Sequence, residues 1–153
     1  MTDQSTESSG TQVPWNLADL WELTTDRYPD REALVVGSQR VTYREIEERS
    51  NALAHVLADA GVGPGDHVAC YMQNCVEFVE TMLAAFKIRA VPLNVNYRYV
   101  HAELSHLLQD GDAVAVVFHR RFTDAMAEVA GDLDDLRISL VVDDIDPRAE
   151  PSQ

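Results

Sequence analysis

Three short segments hold side chains suited to gripping a polar or anionic ligand: Gln73-Asn74, Asn94–Arg98 and His119-Arg120-Arg121. Each follows an apolar run and precedes an amphipathic stretch. An Asn amide offers both a donor and an acceptor, and a guanidinium offers a planar set of donors that matches phosphate or carboxylate oxygens. Helix N-termini add free backbone N–H groups and a favourable dipole for anions. A plainer reading of the same residues is that Asn and Arg start helices and face water, since loops are commonly polar.

Catalytic constellations are not found beside them. The sequence has no GxxxxGK[ST] loop, and Gly61, Gly63 and Gly65 do not form GxGxxG. That glycine cluster precedes a strand, and Asp66 would repel a phosphate. There is no GxSxG elbow. His101 and His106 are five residues apart and do not share a helical face, which argues against a metal pair. His55 and Asp59 suit an exposed helix pair. Cys70 reads as a small core residue within a strand. Cys75, in the first turn of a helix, is placed for a lowered thiol pKa but lacks a nearby base, so it reads as structural. The acids between Asp132 and Asp146 read as solvated. No residue is assigned a catalytic role.

The elements that must position the three segments follow from periodicity. Asn16 to Tyr28 predicts a helix with Leu17, Leu20, Trp21 and Leu23 on a broad apolar face, ended by Pro29-Asp30. Ala33–Val36 and Arg40–Thr42 predict a hairpin around Gly37-Ser38. Thr42 with Glu45 makes a capping box, and Val41 with Ile46 a hydrophobic staple, for a helix buried through Ile46, Leu53, Ala54 and Leu57. Gly61 stands where a left-handed C-cap is wanted, with Val62 returning onto Leu57. Gly63-Pro64-Gly65-Asp66 has the order of a type II turn.

Strands and helices then alternate. Strands are expected at His67–Met72, Val91–Leu93, Ala113–Phe118 and Ile138–Val142. The intervening helices are marked by Phe78, Val79, Met82, Leu83 and Phe86; by Val100, Leu104, Leu107 and Leu108; and by Phe122, Ala125, Met126 and Val129. Asn74 with Glu77 is expected to cap the first of these. Continuous apolar strands between helices predict an α/β fold, a mainly parallel sheet covered on both faces. The three polar segments then leave strands at one edge, where ligands of open parallel sheets bind.

With 153 residues, 46% hydrophobic and 25% charged, the chain has room for one domain or part of a larger one. Its net charge of −14 argues against nucleic acid and anionic membrane surfaces as partners. Two cysteines suggest a reducing compartment, and MTDQSTESSGTQ lacks the apolar core of a signal peptide, so the cytoplasm is expected. The longest apolar run, Ala113–Phe118, is too short to span a bilayer. Residues 1–13 read as a disordered tail, 14–142 as the folded unit, and 143–153 as an acidic tail or truncated linker.

The order T-Y-x-E, N-A-L-A-x-x-L, G-V-x-x-G-D-x-V, N-x-x-E-F and K-x-x-A-V-P-L-N, with E-L downstream, resembles the start of the AMP-forming acyl-CoA synthetases. This adenylating superfamily includes luciferases and peptide-synthetase adenylation domains. N-V-N-Y-R-Y-V looks especially like fatty-acyl and steroid-acid CoA ligases of actinobacteria, and Arg89 departs from the glycine that many relatives carry. The resemblance implies an incomplete N-terminal subdomain of that fold, ending before the phosphate-binding loop. It also implies ATP, Mg2+ and coenzyme A for the complete enzyme, with none held tightly by this chain alone and adenylation absent. Asn96, Arg98, Arg120 and Arg121 are expected on the coenzyme A side; the alternative has Arg98 holding its loop and Arg120 starting a helix in solvent. Expected partners are the remainder of a synthetase or a second copy. The competing reading is a non-catalytic α/β interaction or ligand-binding module.

Overall fold

The computed structural model describes residues 15–143. The expected tail at 1–13 and all but Asp143 of the acidic end lie outside the described residues. A hairpin of β1 (Glu32–Val36) and β2 (Gln39–Thr42) stands apart from a four-stranded sheet. That sheet is built from β3 (His67–Tyr71), β4 (Val91–Asn94), β5 (Ala113–His119) and β6 (Ile138–Val142), in the order β4-β3-β5-β6. All three pairings within it are parallel, as expected from the alternation.

Every residue of β5 is buried, which places this strand in the middle of the core. A register shift opposite His67/Val68 puts two consecutive β5 residues, Val114 and Ala115, in one apolar cluster. Helices α2 (Tyr43–Asp59) and α3 (Val76–Lys87) cover that face, where Leu57, Ala84 and Ala85 meet Val68, Cys70 and Val117. Helices α4 (His101–Asp110) and α5 (Thr123–Val129) cover the other, where Leu104, Leu108, Met126 and Val129 meet Ala69, Tyr71, Val116 and Phe118.

Helix α2 carries the capping box read from its sequence. Thr42 Oγ1 accepts from the Glu45 N–H at 3.3 Å, and Glu45 Oε2 accepts from the Thr42 N–H at 2.8 Å. Val41 and Ile46 are both buried beside it. At its far end Gly61 has φ +84, and the Val62 N–H donates to the Leu57 carbonyl at 3.0 Å, the return that lets Val62 pack on Leu57. Gly65, at φ +86, closes the predicted turn, with the Asp66 N–H donating to the Gly63 carbonyl at 3.1 Å.

Four local expectations need correction. Helix α1 (Leu17–Arg27) buries Ala18 and Thr25 and half-buries Trp21, while Leu17, Leu20 and Leu23 remain more than half exposed. The face turned to α2 and α3 thus follows Ala18, Trp21 and Thr25, not the leucines. Helix α3 starts after Cys75, one residue later than an Asn74 cap requires, and no side chain caps it. Val100 is the exposed N-cap of α4 and not part of its buried face. The thiol pKa of Cys75 is not lowered: burial pushes it up to about 12, and Cys70 likewise.

Lys87, the only lysine in the sequence, ties three helices together. Its nearly buried ammonium reaches Glu22 of α1 at 2.6 Å and Glu47 of α2 at 2.7 Å. It stands in the last turn of α3, where the helix dipole favours a cation. Nearby, Asn16 Nδ2 donates to the Phe86 carbonyl at 2.8 Å, so the cap of α1 also holds the end of α3. Two residues on, Arg89 has φ +63, a conformation glycine adopts freely. Arg89 faces Asp19 at 3.5 Å.

Two outcomes follow. Lys87→Ala strands the Glu47 carboxylate and is expected to cost about 3 kcal/mol in urea unfolding, the lower end for breaking a buried pair; a loss below about 1 kcal/mol, the range of a surface pair, contradicts the tie. Both thiols are expected to resist a disulfide reagent at neutral pH in the folded chain and to react once it is unfolded in denaturant. Rapid labelling of Cys75 in the folded chain contradicts its burial.

Candidate functional site

The parallel order brings the ends of β3, β4 and β5 to one rim. From the end of β3 the chain runs through Met72, Gln73 and Asn74; from β4 through Val95 to Tyr99; and from β5 into a 3-10 turn, Arg120–Phe122. The Val95 N–H donates to the Cys70 carbonyl at 3.1 Å, which anchors the second exit on the first strand. Tyr71 anchors it again: its hydroxyl donates to the Tyr99 carbonyl at 2.9 Å, and its ring stacks on Phe122 with centroids 4.5 Å apart. Burial raises the pKa of this phenol, so it stays a donor.

Between the first two exits lies a groove of about 340 Å³. Met72, Val95 and Leu107 give it apolar surface, and Asn74, Asn94 and Asn96 give it amides, with Tyr97 and Tyr99 completing the lining. Asn96 also shapes the loop. Its Oδ1 accepts from the Arg98 N–H at 3.1 Å, and its carbonyl accepts from the Tyr99 N–H at 2.9 Å. The Arg98 guanidinium lies 5.4 Å from the centroid of the Tyr97 ring, a cation–π contact that draws it over an exposed aromatic.

At the third exit His119 is buried, and its Nδ1 lies 3.4 Å from the Gln73 N–H, which donates to it. Arg121 donates to Gln73 Oε1 at 3.1 Å, so Gln73 joins the β3 exit to the β5 exit. Arg120 pairs with Asp143 at 2.6 Å, just beyond β6, and both side chains are well exposed. The expected site residues therefore separate into two places. Asn96 and Arg98 belong to the β4 loop, whereas Arg120 and Arg121 form a basic corner at β5. Gln73 and His119 belong to two of the polar segments read from the sequence, but that they touch each other across 46 residues carries no sequence signal.

The opposite rim is closed by structure. His67 Nδ1 meets the Gly111 carbonyl at 2.6 Å, and Arg137 bridges the Gly61 carbonyl and Asp66, each at 2.6 Å. Gly63 and Arg137 hold the Asp66 carboxyl below its usual pKa. His101 faces Glu128 and His106 faces Asp110. Among the described residues no helix is long and apolar enough to cross a membrane.

Known proteins share both sequence and architecture. The 3-oxocholest-4-en-26-oate–CoA ligase of Rhodococcus rhodochrous is 46% identical over 129 residues, which are 84% of this chain and 23% of that protein. A medium/long-chain-fatty-acid–CoA/3-oxocholest-4-en-26-oate–CoA ligase of Mycobacterium marinum is 45% identical over 132 residues, 86% of this chain and 24% of that protein. The chain thus spans about a quarter of the length of these relatives. The solved structure of a fatty acyl CoA synthetase of Mycobacterium tuberculosis superposes with a TM-score of 0.78 at 25% identity, covering 83% of this chain and 26% of that one. Residues 21–153 match the AMP-binding enzyme family along nearly all of the described fold, and the chain belongs to that family.

Proposed function

We propose that the chain forms the amino-terminal part of a cytoplasmic, ATP-dependent ligase joining a fatty or steroid acid to coenzyme A. The observation that carries this reading is the 46% identity with a steroid-acid CoA ligase across 84% of the chain. In the reaction proposed, a carboxylate oxygen attacks the α-phosphorus of ATP and pyrophosphate leaves. The coenzyme A thiol, giving up its proton, then attacks the acyl carbon and AMP leaves.

Such chemistry needs donors on the phosphates and oxygen ligands for Mg2+. Among the described residues no group of three or more His, Cys, Asp or Glu side chains is placed to hold a metal ion. The sequence also lacks a glycine-rich phosphate loop. The residues present do not fit Mg2+ or the phosphates of ATP, so adenylation is assigned to the remainder of the ligase and this chain alone is read as inactive. Its own contribution is the coenzyme A side of the rim. Arg120 and Arg121 meet a phosphate, and Asn96 and Arg98 line the approach. The Arg120–Asp143 pair is exposed, so exchanging Asp143 for a phosphate costs little.

The partner follows from the surface. Leu17, Leu20 and Leu23 of α1, and Trp15 just before it, are each more than half exposed, and a groove of about 350 Å³ runs from Leu17 and Leu20 past Tyr43 to Leu83 and Phe86. In the complete ligase later segments cover this stripe; in the isolated chain a second copy does. The same surface is what the alternative, a non-catalytic interaction module, would use.

Two measurements test these assignments. In a ligase rebuilt by joining this chain to the remaining sequence of the Rhodococcus relative, Arg120→Ala is expected to raise the apparent KM for coenzyme A about fivefold, the worth of a charge-assisted hydrogen bond in an exposed site, with ATP–pyrophosphate exchange unchanged. An unchanged KM removes Arg120 from the site, and exchange by the 153-residue chain alone overturns the division of labour. In sedimentation, the isolated chain is expected to associate with rising concentration and Leu17→Glu/Leu20→Glu to restore the monomer. A concentration-independent monomer contradicts the covered stripe.

A further inference from the structure

We propose that the α2–α3 contact is a proton-operated joint, in which an uncharged Glu80 seats α3 firmly on α2 and an ionised Glu80 loosens it. The inference stands on the packing of the two helices and not on the coenzyme A reading above.

Burial sets up the conflict. Glu80 of α3 is only 8% exposed, and it lies on the side turned to α2, where Arg49 is its partner. A carboxylate removed this far from water needs a close cation and further donors on its free lone pairs. Glu80 has less than that. The Arg49 guanidinium reaches its Oε1 at 3.3 Å, a long contact for a charge-assisted bond, and is itself about half exposed. Arg49 also acts on Glu45, one turn earlier on α2, so its charge is shared. One turn before Glu80 on α3, Glu77 brings a second carboxyl that works against ionisation of the first. Its Oε2 is buried with no hydrogen-bond partner among the described residues. Two carboxyl groups thus face one half-solvated guanidinium across the helix pair.

The other charged groups around α3 are engaged elsewhere. Glu47 of α2 and Glu22 of α1 take the Lys87 ammonium at the far end of the helix. On the hairpin Arg40 pairs with Glu32. The strands beneath, β3 and β4, carry no Asp, Glu, Lys or Arg, and His67 of β3 meets the Gly111 carbonyl. Burial is accordingly the largest influence on Glu80 and raises its pKa above the usual carboxylate value; Arg49 opposes the rise and Glu77 adds to it. With the folded pKa above the unfolded one, the stability that Glu80 contributes is complete below the unfolded pKa. It is lost as pH rises through the folded value. Helix α3 starts just after the segment that leaves β3, so this joint also seats that exit.

The test compares the full 153-residue chain with Glu80→Gln, which keeps the shape and removes the charge. Urea unfolding and amide hydrogen exchange are followed from neutral pH down to about pH 5, just above the ordinary glutamate range. At neutral pH Glu80→Gln is expected to unfold at a higher urea concentration than the wild-type chain, and the gap to narrow as pH falls. Exchange of the α3 amides, corrected for its intrinsic pH dependence, is expected to slow toward low pH in the wild type more than in Glu80→Gln. A variant no more stable than the wild type at neutral pH, or an α3 whose exchange responds to pH alike in both chains, overturns the proposal. Should the variant not fold, the carboxyl carbon of Glu80 in the wild type decides the matter by its magnetic resonance titration. A midpoint above that of the exposed Glu48 sustains the joint, and one at or below it removes the joint.

Discussion

Everything distinctive about this chain depends on β3 running parallel to both of its neighbours. Cys70 stands beside Asn94 on one side and beside Val117 on the other. With that register the three strands finish together, and the residues that follow them gather along one rim. Reversing either neighbour would send its exit to the far edge and take the asparagines or the arginines with it. Parallel pairing in turn requires crossover helices and two covered faces. The wholly buried β5 and the apolar clusters on either side of the sheet meet that requirement.

The two rims are used differently. At the amino-terminal edge, polar groups find protein partners: Asp66 with Gly63 and Arg137, and His67 with the Gly111 carbonyl. Tight reversals sit there as well, at Gly61, Gly65 and Arg89, all with positive φ. For Arg89 the left-handed conformation costs about 1 kcal/mol, and the contact with Asp19 offsets part of it. At the carboxyl edge, Asn74 and Asn94 are instead exposed, with no side-chain hydrogen bond among the described residues.

Much of this was legible from local pattern. Helix α2, the Gly61 reversal, the Gly63–Asp66 turn and the four sheet strands depend on short-range sequence signals, and each stands where those signals put it. Less legible was anything set by distant neighbours. The leucines of α1 look like a buried face, yet the helix docks through Ala18 and Trp21 because Asn16 and Lys87 fix its angle on α3. Cys75 sits where a helix dipole lowers a thiol pKa, but packing removes it from water and burial raises the pKa instead. In the site, the contacts that hold each arginine were not legible. Ring stacking holds Arg98 on its own loop, and Gln73 draws Arg121 toward β3. Gln73 and Arg121 lie 48 residues apart, and no spacing rule reaches that far.

The most direct measurement is a set of nuclear Overhauser contacts along β3 in the labelled chain. Parallel order predicts backbone contacts linking Ala69 and Cys70 to Leu93 and Asn94 on one side and to Val116 and Val117 on the other, advancing together along both neighbours. Contacts that advance along β3 while retreating along β4 or β5 would mean antiparallel pairing. The shared rim, and the site built on it, would then not exist.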